Sequence, residues 1–246
     1  MQPIIRVENV VTKFGKNLVH DGLNLHVNEG EIYGFLGPSG CGKSTLMREI
    51  IMLEHFKSGS IELLGEKIEK IRMRAAQRLR LQWGVLFQSN ALFTSLTVAE
   101  NIALSLQEYT DLSAETIKDI VAFKIDIVGL KQFDGTLYPS EISGGMKKKA
   151  ALARALVMDP KILFLDEPTS GLDPISAREF DTLIVKLRDL LNLTVVMVSH
   201  DLTSIHNTLD RMAVIDEKKI VAEGSLEEIT KIKSPFIERF FNEGLR

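Results

Sequence analysis

Residues 31–53, EIYGFLGPSGCGKSTLMREIIML, carry the decisive pattern of this 246-residue chain. EIYGFLG (31–37) is a short apolar run ending in glycine, and TLMREIIML (45–53) repeats its apolar residues at helical spacing. A buried strand, a glycine-rich loop and a helix therefore follow one another, as in the first βα unit of an α/β fold. Within the loop, Gly37, Gly40 and Gly42 permit backbone angles closed to other residues. Consecutive N–H groups can then turn inward and surround phosphate oxygens, with the positive end of the helix adding to the attraction. Lys43 supplies a point charge for terminal phosphates, and the Ser44 hydroxyl is a suitable Mg²⁺ ligand. Cys41 reads as a small filler.

Outward from this unit, Ile4 to Val10 and Leu23 to Val27 alternate apolar with polar residues, the pattern of antiparallel strands with one solvated face. Downstream, the basic segment from Lys67 to Arg80 reads as a helix whose arginines form a solvated face, and WGVLFQ (83–88) as a further strand. From Leu96 to Leu130 the pattern turns helical, an insertion. After Ser143 the βα rhythm returns: a helix through AALARALVM, a strand ILFLD (162–166), a helix from Ile175 to Leu190 and a strand TVVMVSH (194–200). Such alternation implies a parallel sheet covered on both faces. Two short strands, MAVID (212–216) and KIVAEG (219–224), precede a helical tail.

The second phosphate signature is ILFLDEPTSGLD (162–173). Its apolar strand delivers Asp166 to the carboxyl end, where ligands bind in open parallel sheets. Asp166 can hold Mg²⁺ directly or through water. Glu167, one step on, is placed to polarise a water aimed at a γ-phosphate, the task of a carboxylate general base.

Composition narrows the class. With 45% hydrophobic and 26% charged residues, the chain matches an ordinary globular protein rather than a disordered or disulfide-rich one. Thirty basic against thirty-three acidic side chains give a net charge of −3, so no global positive field argues for nucleic acid. No run reaches the roughly 18–20 apolar residues of a membrane span, and MQPIIRVENV lacks the signature of a secretion signal. The single cysteine fits a reducing cytoplasm.

ISGGM (142–146) lies between the two phosphate motifs and opens a helix. Through six motifs in this order the sequence resembles the ATP-binding subunit of ABC transporters over essentially its whole length. The resemblance implies a P-loop NTPase with a RecA-like parallel core, an N-terminal antiparallel β-subdomain and an inserted α-helical signature subdomain. One ABC ATPase domain would span 1–246, with core and β-subdomain in 1–92 and 161–246 and the helical subdomain in 93–160. It places ATP contacts on Gly37, Pro38, Ser39, Gly40, Cys41, Gly42, Lys43, Ser44 and Thr45, and adenine stacking on Phe14. Gln88 falls at the Q-loop, reaching Mg²⁺ or the attacking water. Ser143, Gly144 and Gly145 match the signature, Asp173 the D-loop and His200 the switch histidine. By the same resemblance, ATP lies between the loop of one copy and the signature of a second, so that binding closes a homodimer and hydrolysis releases it.

SNALFTSLTVAEN (89–101), SGGM followed by AALARAL, and the ending SPFIERFFNEG resemble the lipid-transport subgroup of Mla and Mce systems. This implies a peripheral subunit on the cytoplasmic face of the inner membrane, powering phospholipid transport through a separate MlaE-like permease. An MlaD-like Mce-domain protein and a small MlaB-like regulatory subunit are further implied partners. Asn90 stands where the subgroup usually has glycine, Ile142 replaces the common signature leucine, and Lys149 a common arginine. The run Lys147 to Lys149 reads as a solvated helix start. The alternatives are the ATPase of an amino-acid or anion importer, or a non-transport ABC ATPase.

Overall fold

The computed structural model describes residues 3–232, 237–238 and 240–241. In chain order the elements are β1 (Pro3–Phe14), β2 (Asn17–Asn28), β3 (Ile32–Leu36), α1 (Lys43–Ile50), β4 (Ser58–Leu63), β5 (Glu66–Lys67), α2 (Met73–Arg80), β6 (Trp83–Leu86), α3 (Val98–Tyr109) and α4 (Ala114–Ile127). There follow α5 (Gly144–Leu156), β7 (Ile162–Asp166), α6 (Pro174–Leu191), β8 (Thr194–Val198), α7 (Leu202–Thr208), β9 (Arg211–Asp216), β10 (Lys219–Gly224) and α8 (Leu226–Ile229). The chain divides into two compact units, Met1–Arg80 with Thr194–Arg246, and Leu81–Leu193. The helical segment 93–160 expected from the sequence lies wholly within the second unit, which also contains β6, β7 and α6.

In the first unit, β2-β1-β4-β5 form an antiparallel sheet. A second set of strands is centred on β3, which runs parallel to β8 through Ile32↔Val195 and to β9 through Leu36↔Val214; β10 pairs with β9 antiparallel. Every residue of β3 and of β8 is buried, which is why both read as unbroken apolar runs instead of alternating ones. The arginines of α2 are exposed and only its Leu79 is buried, as the basic pattern suggested. Most of the tail motif SPFIERFFNEG lies outside the described residues; Ile237, Phe240 and Phe241 within it pack on a cluster containing Leu36, Met212, Val214 and Ile229.

In the second unit, β6 and β7 run parallel from Trp83↔Ile162 to Leu86↔Leu165. Helix starts obey local chemistry. Thr97 and Glu100 form a reciprocal capping box at α3, Ser113 caps α4, and Asp173 caps α6 ahead of Pro174. Gly84 is required for packing, because a Cβ there would overlap the Ala155 carbonyl of α5. The helix that begins with the SGG triplet therefore lies directly against β6.

Candidate functional site

The phosphate loop joins β3 to α1 within the first unit. Gly37 adopts φ 143°, and a side chain there would overlap the backbone oxygen of Ile215. Gly42 adopts φ 104° and is the residue from which α1 starts, with no side chain capping that end. The amide end of the helix is therefore left facing the loop, as anion binding requires. Lys43 is buried, and its Nζ donates to the carbonyls of Gly37 at 2.9 Å and Pro38 at 3.0 Å. It thereby ties the loop into a closed ring. Ser44 and Thr45 are half-buried in the first turn of α1, whereas Ser39 and Gly40 are exposed at the loop tip. Burial pushes the Cys41 thiol up, opposed by the nearby Lys43 charge, so this residue stays a neutral filler.

The acidic pair belongs to the second unit. Asp166 ends β7 at 6% exposure, and Glu167 follows in the left-handed region at φ 48°. A non-glycine residue held there costs on the order of 1–3 kcal/mol, and such strain concentrates where a side chain must be aimed. Gln88 leaves the end of β6 and its Nε2 donates to Glu167 Oε2 at 3.1 Å. Two residues chosen from separate motifs are thus in direct contact. Beneath them lies Lys148 of α5, 3% exposed, whose Nζ donates to the carbonyls of Gln88 at 2.9 Å and Glu167 at 3.4 Å. The expected solvated start of that helix is corrected at this residue: Lys148 stands one turn before fully buried Leu152 and faces inward with it. Burial lowers the Lys148 pKa, against the opposing charges of Glu167 and Asp166.

Ser143 caps α5, its Oγ accepting from Met146 N at 3.3 Å, and Ser143 and Gly144 are exposed. The signature thus presents a hydroxyl and helix-start amides on an open face. In the last turn of the same helix, Arg154 donates to the carbonyls of Ala91 at 2.6 Å and Asn90 at 2.9 Å. Asn101, fully buried in α3, accepts from Phe93 N and donates to the carbonyls of Phe93, Leu96 and Thr97. These two side chains fix segment 90–97 so that Phe93 stands 53% exposed. In the first unit, Phe14 is 45% exposed at the β1–β2 turn, available for stacking and not packed beneath the hairpin. His200 is exposed just beyond β8, and Asp173 accepts from Ile175 N and Ser176 N at the start of α6 in the second unit.

Residues 20–170 match the family model described as ABC transporter. Over 239 residues the chain is 38% identical to the intermembrane phospholipid transport system ATP-binding protein MlaF of Haemophilus influenzae, covering 97% of this chain and 90% of that protein. This chain belongs to the ABC transporter family. It is also 36% identical over 238 residues to the probable ribonucleotide transport ATP-binding protein mkl of Mycobacterium leprae, across 97% of this chain and 68% of that one. Among solved structures it is similar to the dimeric ATP-binding cassette MJ0796 in a post-hydrolysis state bound to ADP and Pi. The TM-score is 0.82 at 28% identity, over 90% of this chain and 98% of that one. The chain is an ATPase cassette of the ABC family, with the α/β fold expected from its motifs.

As an ABC cassette, the chain explains one of its departures physically. Asn90 adopts φ 65°, where glycine is free of strain and asparagine is among the best tolerated substitutes. Two supports of the site, Arg154 and Asn101, carried no expectation from sequence, and a third, Lys148, was expected in solvent. The available signal was a polar residue falling on the buried face of an otherwise apolar helix. Lys148→Met keeps most of the side-chain volume and removes the ammonium. Two carbonyls then lose a donor worth roughly 1 kcal/mol each, so ATP turnover is expected to fall about tenfold or more. Steady-state kinetics with a separate ATP-binding assay checks this; native turnover would show that Lys148 does not position Gln88 and Glu167.

Proposed function

We propose that this ABC cassette binds and hydrolyses ATP to drive phospholipid movement through a separate membrane-spanning permease. For the chemistry, the observation that carries the reading is the contact between Gln88 and Glu167, with Glu167 held at positive φ. Lys43 and the amides from Gly40 to Thr45 would bind the phosphates, and exposed Phe14 would stack on adenine. Ser44, Asp166 and Gln88 would hold Mg²⁺; a hydroxyl, a carboxylate and an amide oxygen are the hard donors that ion takes. Bound there, Mg²⁺ would neutralise phosphate charge. Glu167 accepts a proton from the attacking water, Gln88 orients that water, and His200 donates a hydrogen bond to the γ-phosphate.

Ser143, Gly144 and Gly145 would cover the nucleotide held by a second copy, and Asp173 would face that copy across the dimer. The dimeric MJ0796 cassette supports this arrangement. Among the described residues no helix is long and apolar enough to cross a membrane, which fits a peripheral subunit at the inner-membrane face. Exposed Phe93 on the segment braced by Arg154 and Asn101 gives an apolar contact for an MlaE-like permease. MlaD-like and MlaB-like proteins would complete the assembly.

Similarity to MlaF along nearly the whole chain supports the phospholipid substrate. The second reading, another importer, is favoured by the similarity to mkl and to the methionine import protein MetN of Lactobacillus johnsonii. Reconstitution with its cognate permease decides between them. ATP-dependent transfer of labelled phospholipid is expected; movement of a ribonucleotide or methionine with no lipid transfer would overturn the assignment.

A further inference from the structure

Behind the phosphate loop lies a polar cluster with no place in the chemistry above. Thr12 of β1, His20 of β2 and Glu49 of α1 are each fully buried. His20 Nε2 lies 3.2 Å from the Gly42 carbonyl oxygen, and Nδ1 lies 2.8 Å from Thr12 Oγ1. Thr12 Oγ1 is 2.6 Å from Glu49 Oε1, and the other Glu49 oxygen has no hydrogen-bond partner and sits 3.5 Å from His20 Nδ1. A carbonyl oxygen only accepts, so Nε2 carries a proton and donates it to Gly42. Glu49 and Thr12 fix the other ring nitrogen, and with it the orientation of the imidazole.

The Gly42 carbonyl also accepts Leu46 N–H at 2.9 Å, the first backbone bond of α1. Two donors therefore hold one oxygen. That carbonyl and the Lys43 N–H belong to a single planar trans peptide, so fixing the oxygen aims the N–H the opposite way, into the loop. Glycine at φ 104° has other orientations open to it, and no side chain caps this helix end. His20 packs so closely that a Cβ at position 42 would overlap its Nε2.

We propose that His20 is a positioning residue for ATP binding: braced by Thr12 and Glu49, it locks the Gly42–Lys43 peptide with its amide aimed at the nucleotide phosphates. This inference rests on the ATPase reading. It gives the cluster a task in pre-organisation, which raises affinity by sparing the loop its ordering on binding.

The test separates affinity from folding. Thr12→Val, His20→Leu and Glu49→Leu together replace the cluster by apolar groups of similar volume, an exchange that proteins often tolerate without loss of stability. In the full chain, this triple variant is expected to unfold at or above the native temperature. Its MgATP affinity is expected to fall at least about tenfold and its KM to rise more than kcat falls. His20→Gln retains a donor toward Gly42 and is expected to bind MgATP within about threefold of the native chain. A folded triple variant with native affinity, or a His20→Gln variant as weak as the triple, would overturn the proposal. If the triple variant does not fold, His20→Gln is compared with His20→Met on protein of native circular dichroism. A selective loss in the methionine variant supports the proposal and equal affinities overturn it. A native chain that binds no MgATP would refute the ATPase reading together with the inference, whereas native binding unaltered by every His20 variant refutes the inference alone.

Discussion

Replacing Glu167 with glutamine is expected to leave ATP binding intact and to slow hydrolysis by about 10²–10⁴-fold, the usual contribution of a positioned general base. The substitution is nearly isosteric, and glutamine meets the positive φ of residue 167 as glutamate does. Lys148 still donates to the carbonyl of residue 167, which both side chains share. What is lost is proton acceptance. The contact with Gln88 can persist, because the glutamine carbonyl oxygen still accepts from Gln88 Nε2. Single-turnover hydrolysis and equilibrium ATP binding, measured on one preparation, check both halves. Near-native turnover would remove Glu167 from the proton-accepting role.

Lys43→Ala is expected to weaken MgATP binding by about 10²–10³-fold, the range for removing one partner of a desolvated charge interaction. Two effects act in the same direction. The phosphates lose a buried cation, and the loop loses the bonds from Nζ to the carbonyls of Gly37 and Pro38. Lys43→Arg does not restore the site, since the planar guanidinium cannot replace a compact ammonium inside a closed loop. Isothermal titration of both variants with MgATP checks this; an alanine variant of native affinity would place the phosphates elsewhere.

The strand, loop and helix of residues 31–53 were legible because burial on both faces of β3 leaves an uninterrupted apolar run that only the glycine loop can end. The acidic pair was legible for a like reason, since all five residues of β7 are buried and Asp166 marks where the strand stops. His20 was not. Leu23, Leu25 and Val27 alternate inward along β2, and His20 falls out of phase with them. The phase changes where Gly22 takes φ 74° and the pairing with β1 slips, a backbone event that leaves no mark in hydrophobic alternation. Lys148 was hidden in another way, as the middle of three lysines read as one solvated patch. A helix turns about 100° per residue, so three neighbours in sequence point in three directions and only the middle one meets Gln88. Asn101, inside α3, shows its purpose only when the carbonyls of the preceding loop are seen around it.

On the proposed arrangement, the nucleotide held by one copy is covered by the signature of another. Cys41, the single cysteine of the chain, is half-buried with its thiol pushed up, so it is replaced by serine and a probe is introduced by Ser39→Cys at the exposed tip of the phosphate loop. Lys147→Cys adds a second probe one turn into the signature helix, in the Glu167→Gln background that retains ATP. A short bismaleimide is expected to link position 39 of one copy to position 147 of its twin, giving a dimer-sized species with MgATP and little with ADP. No dimer-sized species with MgATP, or the same yield with ADP and with ATP, would contradict the account.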